Sequence, residues 1–378
     1  MNNDTIDRTL QEMDLLFSNF YAWLAGQYDM ESGGFYYARS SRTVPGWTPD
    51  IESSAQALNI LVRSGLTDAM PQPMRRAMTA FFQGKQEPGS GYFYDADPSM
   101  RQDAVMVNRA LGYCTNALKR LGSRPLYPLP SAHRKLPDFM HTPAGFAEWL
   151  KGISLVSSWR GCDYLSSCAM FLIQLTDEER IPYKEALFSY LASIQDPETG
   201  LWGEGCLYIR ISGTFKLNIL YERMGERLPH GDRIYRTLLH CLRSDEALDM
   251  CWIRNPIDLL SSGIAEIQPE DLDEIIAITY ANMNRLLRED GGFSRELKHS
   301  PPAPNVAQVK EGEWYPDIPQ AVPIGLGWVE GDMNAATQAL LIRHSCYALS
   351  GRTPEPLRAA MSPILALYER QEACGPRQ

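Results

Sequence analysis

The stretch QDPETGLWGEG, residues 195–205, has the form Gln-x-x-x-x-Gly-x-Trp and lies between two runs with helical spacing of apolar residues. The run ahead of it, PYKEALFSYLASI (182–194), is amphipathic. The run behind it, YIRISGTFKLNILYERMG (208–225), is more apolar and stops on a glycine. A glycine just past the last apolar residue predicts a helix C-terminus, because glycine enters the left-handed region without steric cost. The pattern recurs in QYDMESGGFYY from Gln27, KQEPGSGYFYD from Lys85 and REDGGFSREL from Arg288. Other apolar runs end at Gly65, Gly122 and Gly351.

The repeated unit is therefore a first helix, a glycine–aromatic turn, a more apolar second helix and a glycine stop. Its period of roughly 45–75 residues is that of repeated supersecondary units. Six such hairpins fit the chain. First helices are expected near 5–27, 70–86, 143–155, 181–195, 231–246 and 270–288, and second helices near 48–65, 101–121, 160–176, 208–225, 253–267 and 330–350. The third and fifth hairpins lack the glycine–aromatic turn. A last helix near 353–370 is expected to close the ring. With no alternating strand run, the expected fold is all-α: one domain over 1–378, an (α/α)6 toroid with apolar helices inside and amphipathic helices outside. Segment 289–329, rich in proline and aromatics, is expected to be a long capping loop.

The Gln-x-x-x-x-Gly-x-Trp motif and the glycine-terminated second helices resemble the QW repeats of terpenoid cyclases and protein prenyltransferase beta subunits. The resemblance covers most of the chain as a style of repeat. Six-hairpin glycosidases, sugar epimerases and some polysaccharide lyases share the toroid, so the resemblance implies a fold and leaves the chemistry to the site. The bland account of the turn is structural: the glycine reverses the chain and the aromatic wedges the hairpin.

Composition narrows the classes. The 378 residues carry 46 acidic and 36 basic side chains, a net charge of −10, with no basic run, which argues against a nucleic-acid partner. No apolar run reaches the roughly 18 residues of a membrane span. The N-terminus has no export signal, and the eight scattered cysteines lack a Cys-x-x-Cys pair, so reduced thiols and a cytoplasmic location are expected.

In a toroid, the second helices point their N-termini at one end of a central cavity, so the residues opening them are the site candidates. These are Asp50 and Glu52; Asp95, Asp97 and Asp103; Arg160 and Asp163; Tyr208 and Arg210; Trp252 and Arg254; and Trp328, Glu330, Asp332 and Asn334. Glu52 and Asp332 are read as an acid–base pair, with Asp50 and Glu330 as alternates. Arg160, Arg210 and Arg254 would grip an anionic group. Trp202, Trp328, Tyr92, Asp103 and Tyr208 would line the substrate. The competing account is that first-turn carboxylates are helix caps, with Thr48 as the cap and Pro49 at the first position of the first inner helix.

Other chemistries leave weaker traces. Asp249-x-Cys251 resembles the zinc pair of protein prenyltransferase beta subunits, and HSCYALSG from His344 resembles the stretch carrying their zinc histidine. Aligned on the glycine stop, however, that histidine position is Ala336, so no metal site is expected. DLDE, 271–274, approximates the acid motif of class II cyclases but falls on an expected outer helix. There is no nucleophile elbow, phosphate loop or dinucleotide fingerprint. The expectation is a carbohydrate-active enzyme without cofactor, glycosidase-, lyase- or epimerase-like, acting on a small saccharide, an anionic one included, by carboxylate acid–base chemistry in a central cavity. The alternatives are an isoprenoid diphosphate enzyme and a non-catalytic toroid that binds a peptide or protein.

Overall fold

The computed structural model describes residues 3–130, 136–304 and 319–374, so part of the expected capping loop, 305–318, lies outside the described residues. Helices follow one another through the chain, and among the described residues there is no strand, only isolated bridges such as Gln86 with Phe93. The expected first helices correspond to α1 (Asn3–Leu15) and α2 (Phe20–Gln27), α4 (Gln72–Gly84), α6 (Pro143–Lys151), α9 (Asp177–Ile194), α11 (Gly231–Ser244) and α13 (Pro269–Leu286). The expected second helices correspond to α3 (Ile51–Arg63), α5 (Ala104–Arg120), α7 (Ser158–Ser167) with α8 (Ala169–Leu172), α10 (Leu207–Arg223), α12 (Met250–Ser261) and α14 (Met333–Leu349). The last helix, α15, spans Ser362–Cys374.

Three expectations need correction. The first helix is broken, because the amides of Leu16, Phe17 and Ser18 bond three residues back and the Ser18 hydroxyl donates to Leu15 O at 2.6 Å, which tightens and ends the turn. The third of the second helices is interrupted at Cys168. The last helix starts nine residues late, Ser362 instead of 353, because Pro354 and Pro356 hold their predecessors extended.

Backbone contacts group the chain into two compact units. The first is Met1–Thr9, His133–Asn282 and Ser345–Arg352; the second is Leu10–Ala132, Met283–His344 and Thr353–Gln378. In the first unit, α10 packs on α7 and α12, and both faces of α10 are buried. The approach to α7 requires Gly213, where a Cβ would lie 2.1 Å from Ser158 Oγ. Helix α9 starts on a reciprocal cap between Thr176 and Glu179. In the second unit, α3 packs on α5, and α15 lies against α2 and α4.

The repeated turn has one construction. In its first three copies, the amides of Asp29, Glu87 and Asp196 donate to Gly34 O, Tyr92 O and Leu201 O, while Gly33, Gly91 and Gly200 donate back to the same residues. Those three glycines have φ of +78°, +73° and +74°, which explains the residue type. The fourth copy, from Arg288, is one residue tighter. The aromatics that follow, Phe35, Phe93, Trp202 and Phe293, are fully buried, each contributing on the order of 2–3 kcal/mol. Gln86 and Gln195 tie their own turn to a later linker: their amides donate to Gly91 O and Tyr127 O, and to Gly200 O and Pro229 O. Four of the second helices end on the expected glycines. Leu66, Ser123, Glu226 and Arg352 donate back five residues past Gly65, Gly122, Gly225 and Gly351, each at positive φ.

Candidate functional site

In the second unit, the N-termini of α3 and α5 open onto a cavity of about 630 Å³, partly open to solvent. Its described walls include Asp50, Glu52, Asp95, Asp97 and Asp103, with Arg109 and Tyr113 from α5, Met100 and Met106, and Pro304, Val322 and Ile324 from the long loop.

Asp50 is the cap of α3. Its backbone is extended and its Oδ1 accepts from Ser53 N at 2.8 Å, so the cap is Asp50 itself and not Thr48. The next amide, Ile51 N, donates to both oxygens of Asp95 at 3.1 Å. Asp95 is anchored in turn by Lys85 Nζ at 2.9 Å, which also donates to Pro49 O. Burial pushes the Asp50 carboxyl up to about 7, reinforced by the neighbouring Asp95 and Glu52 charges and opposed by the Ser53 amide.

Glu52 is 6% exposed and its oxygens are held from α5. Arg109 donates to Oε1 at 2.6 Å and to Oε2 at 3.3 Å, Tyr113 OH donates at 3.3 Å, and Gln56 Nε2 donates from the same helix. Burial raises the Tyr113 phenol to about 12, so it remains a donor. Asp103 caps α5 through Oδ1, to Val105 N and Met106 N. Asp97 turns on Ser99 in the preceding 3₁₀ segment, Pro98–Gln102.

The other expected acids lie elsewhere in the same unit. Asp332 has no exposed surface; Oδ1 caps α14 on Ala335 N, and Oδ2 accepts from Arg295 N at 2.7 Å and Ser300 Oγ at 2.8 Å. Burial raises its carboxyl above the usual range. Glu330 Oε2 accepts from Ser40 N at 2.9 Å. Neither lines the cavity. Tyr37 nevertheless feels the charges of Asp332, Glu52 and Asp50 together, which places these three carboxylates in one electrostatic neighbourhood. Trp328 is 56% exposed, and Tyr92 is half-buried beside Tyr94.

The three expected arginines belong to the first unit. Arg210 bonds Asp196 at 2.7 Å and Thr199 Oγ1 at 3.1 Å. Arg254 bonds Asp258 at 2.7 Å and lies over the Phe215 ring. Arg160 lies over the Trp159 ring. Trp202 is buried, donating Nε1 to Leu191 O at 2.8 Å, and Tyr208 is buried in a stack on Trp252 with its hydroxyl on Asp245 O. Both side chains are spent on packing.

No metal-holding group of three side chains occurs among the described residues. Asp249 caps α12 on Cys251 N, and Asp271 and Glu274 of the DLDE string pair with Arg243. Burial holds His344 below the usual histidine range, and Ala336 is buried. No helix is long and apolar enough to cross a membrane among the described residues.

Sequence reading missed Arg109 and Tyr113 on the cavity wall, and Lys85, which anchors Asp95 from behind it. The available signal was the pair Arg109 and Tyr113, four apart and so on one face of α5, the face whose side chains reach Glu52 on α3. No family model matches the chain, and neither a curated protein nor a solved structure matches it.

Proposed function

We propose that the hairpins form an (α/α)6 ring like that of terpenoid cyclases and six-hairpin glycosidases, and that the chain is an enzyme cleaving a small saccharide by carboxylate acid–base chemistry. One observation carries the reading: Asp50, on a cavity wall, titrates near 7 beside Glu52, whose charge is paired with Arg109. A raised Asp50 carboxyl beside a carboxylate that is ion-paired to Arg109 supplies an acid and a base at neutral pH. In this reading, Asp50 delivers its proton to the glycosidic oxygen as the C–O bond breaks. Glu52, oriented by Arg109 and Tyr113, takes the proton from the attacking water. Asp332 and Glu330 shape the neighbouring loops, since their oxygens are engaged by backbone amides and Ser300.

The isoprenoid alternative draws less support. A diphosphate needs free cations, whereas the cavity presents five carboxylates against Arg109, itself tied to Glu52. The test is incubation of the purified chain with neutral, amino and uronic oligosaccharides, with products read by mass spectrometry. Cleavage should fall by about 10²–10⁴-fold in Asp50→Asn, which keeps the helix cap. Unchanged cleavage in that variant, or no cleavage of any saccharide, would overturn the reading. In the latter case, binding of a peptide without turnover would favour a non-catalytic toroid.

A further inference from the structure

Two of the cavity's carboxylates are buried without a counter-ion. Asp50 is 6% and Asp103 is 7% exposed, and neither has a cation within ion-pair distance among the described residues. By contrast, Asp95 has Lys85 and Glu52 has Arg109. Each of the two unpaired groups spends Oδ1 on a helix cap and leaves Oδ2 without a hydrogen-bond partner among the described residues. Both line the same cavity, which is partly open to solvent. Capping alone would be served as well by asparagine or serine, which bring no charge into a buried position. The cavity's side chains do not converge as a metal site among the described residues. Dispersed negative charge suits a larger organic cation, with the apolar Met100, Met106 and Ile51 walls covering its carbon skeleton.

We infer that the ligand is a saccharide bearing a protonated amine, whose ammonium supplies the counter-charge to Asp103, beside the protonated Asp50. This rests on the saccharide reading above. The ammonium is desolvated against ionised oxygens, which makes its hydrogen bonds stronger than those of a neutral hydroxyl. The groups facing Asp50 are Asp95, with Lys85 behind it, and Glu52, with Arg109 behind it. Asp50 keeps the proton it delivers below about pH 7; its ionisation above that value removes the acid while leaving the ammonium contact at Asp103 in place, so cleavage falls with rising pH and the amine preference does not.

Titration calorimetry on the full chain separates this inference from the saccharide reading. The probes are a glucosamine tetramer, its N-acetylated counterpart, a uronic-acid tetramer and spermine. The free-amine sugar should bind at least about tenfold tighter than the N-acetylated one, the advantage should shrink with added salt, and Asp103→Asn should abolish it. Equal binding of the two glucosamine forms, tighter binding of the uronate, or an amine advantage that survives both Asp103→Asn and Asp50→Asn would overturn the amine inference. The saccharide reading would then stand. Binding of spermine alone, lost in Asp103→Asn, would sink the saccharide reading and leave the cation preference. Silence from all four probes would overturn both.

Discussion

The entrances of α3 and α10 begin from the same sequence logic and end differently. Both helices open with charged residues after an aromatic-rich loop. At α10 the charge is neutralised locally: Arg210 bonds Asp196 in the preceding turn, and Trp202 and Tyr208 are packed away. At α3 the charge is left facing a cavity: Asp50 caps the helix without a cation, and Glu52 reaches its cation only on α5. The difference lies in sequence separation. Asp196 and Arg210 are 14 residues apart, whereas Glu52 and Arg109 are 57 apart. The local pair forms wherever its own hairpin forms. The distant pair depends on α3 and α5 packing together and places a charge on their shared surface.

The sharpest way to break this comparison is to remove the cation from each pair. Arg109→Ala should cost about 3 kcal/mol by urea denaturation at pH 7, because Glu52 is left 6% exposed with only neutral donors, Gln56 and Tyr113. Adding Glu52→Gln to that variant should recover part of the loss, since the stranded charge disappears. A loss below about 1 kcal/mol would mean that water reaches Glu52 and the α3–α5 surface is wet.

The next effect is a pH dependence. The folded carboxyl of Asp50 sits at about 7, above the ~3.9 of an unfolded aspartate, so the folded chain holds this proton more tightly. Its contribution to stability is fully present below about pH 4 and is lost as pH rises through 7. Asp50→Asn removes that loss while keeping a cap. The variant should therefore pull ahead of the parent between pH 4 and pH 8 by on the order of 2 kcal/mol, read as the change in their denaturation midpoints. A gap that is the same at both pH values would mean Asp50 ionises in the fold at no penalty, and would remove it as the proton donor.

Much of the scaffold was legible because its signals are local. Glycine stops gave the C-termini of α3, α5, α10 and α14, and the Gln-x-x-x-x-Gly-x-Trp spacing marked a turn whose hydrogen bonds close within six residues. The breaks at Ser18 and Cys168 were not legible, since apolar periodicity continues through both. The site was legible in part. First-turn acids pointed to Asp50, Glu52 and Asp103, but the same rule selected Asp332, which the fold consumes as a cap and loop anchor. Nothing in residue type separates Asp50 from Asp332. What differs is whether Oδ2 meets a donor, and the donors Arg295 and Ser300 lie 37 and 32 residues from Asp332. Arg109 was missed for the same reason.

The smallest expected effect completes the comparison from the α10 side. Arg210 and Asp196 are 16% and 32% exposed, and Arg210, the strongest influence on Asp196, helps hold its carboxyl down at about 2. That stabilisation is present above pH 4 and lost as pH falls through 2, so it is available at neutral pH but screened by solvent. Removing Arg210 leaves Asp196 Oδ1 still accepting from Glu198 N at 2.8 Å and Thr199 N at 3.2 Å, and Oδ2, on a side chain 32% exposed, is left to solvent. Arg210→Ala should therefore cost less than about 1 kcal/mol by urea denaturation at pH 7, well below the loss in Arg109→Ala. It should also leave amino-sugar binding unchanged, because the charge that this arginine meets is already supplied by its own turn. A loss comparable to that of Arg109→Ala would show that the α10 entrance is as dependent on its ion pair as the α3 entrance, and the contrast between local and distant pairs would fail. A loss of binding with stability intact would instead return Arg210 to the ligand, and with it an anionic group that the acidic cavity by itself disfavours.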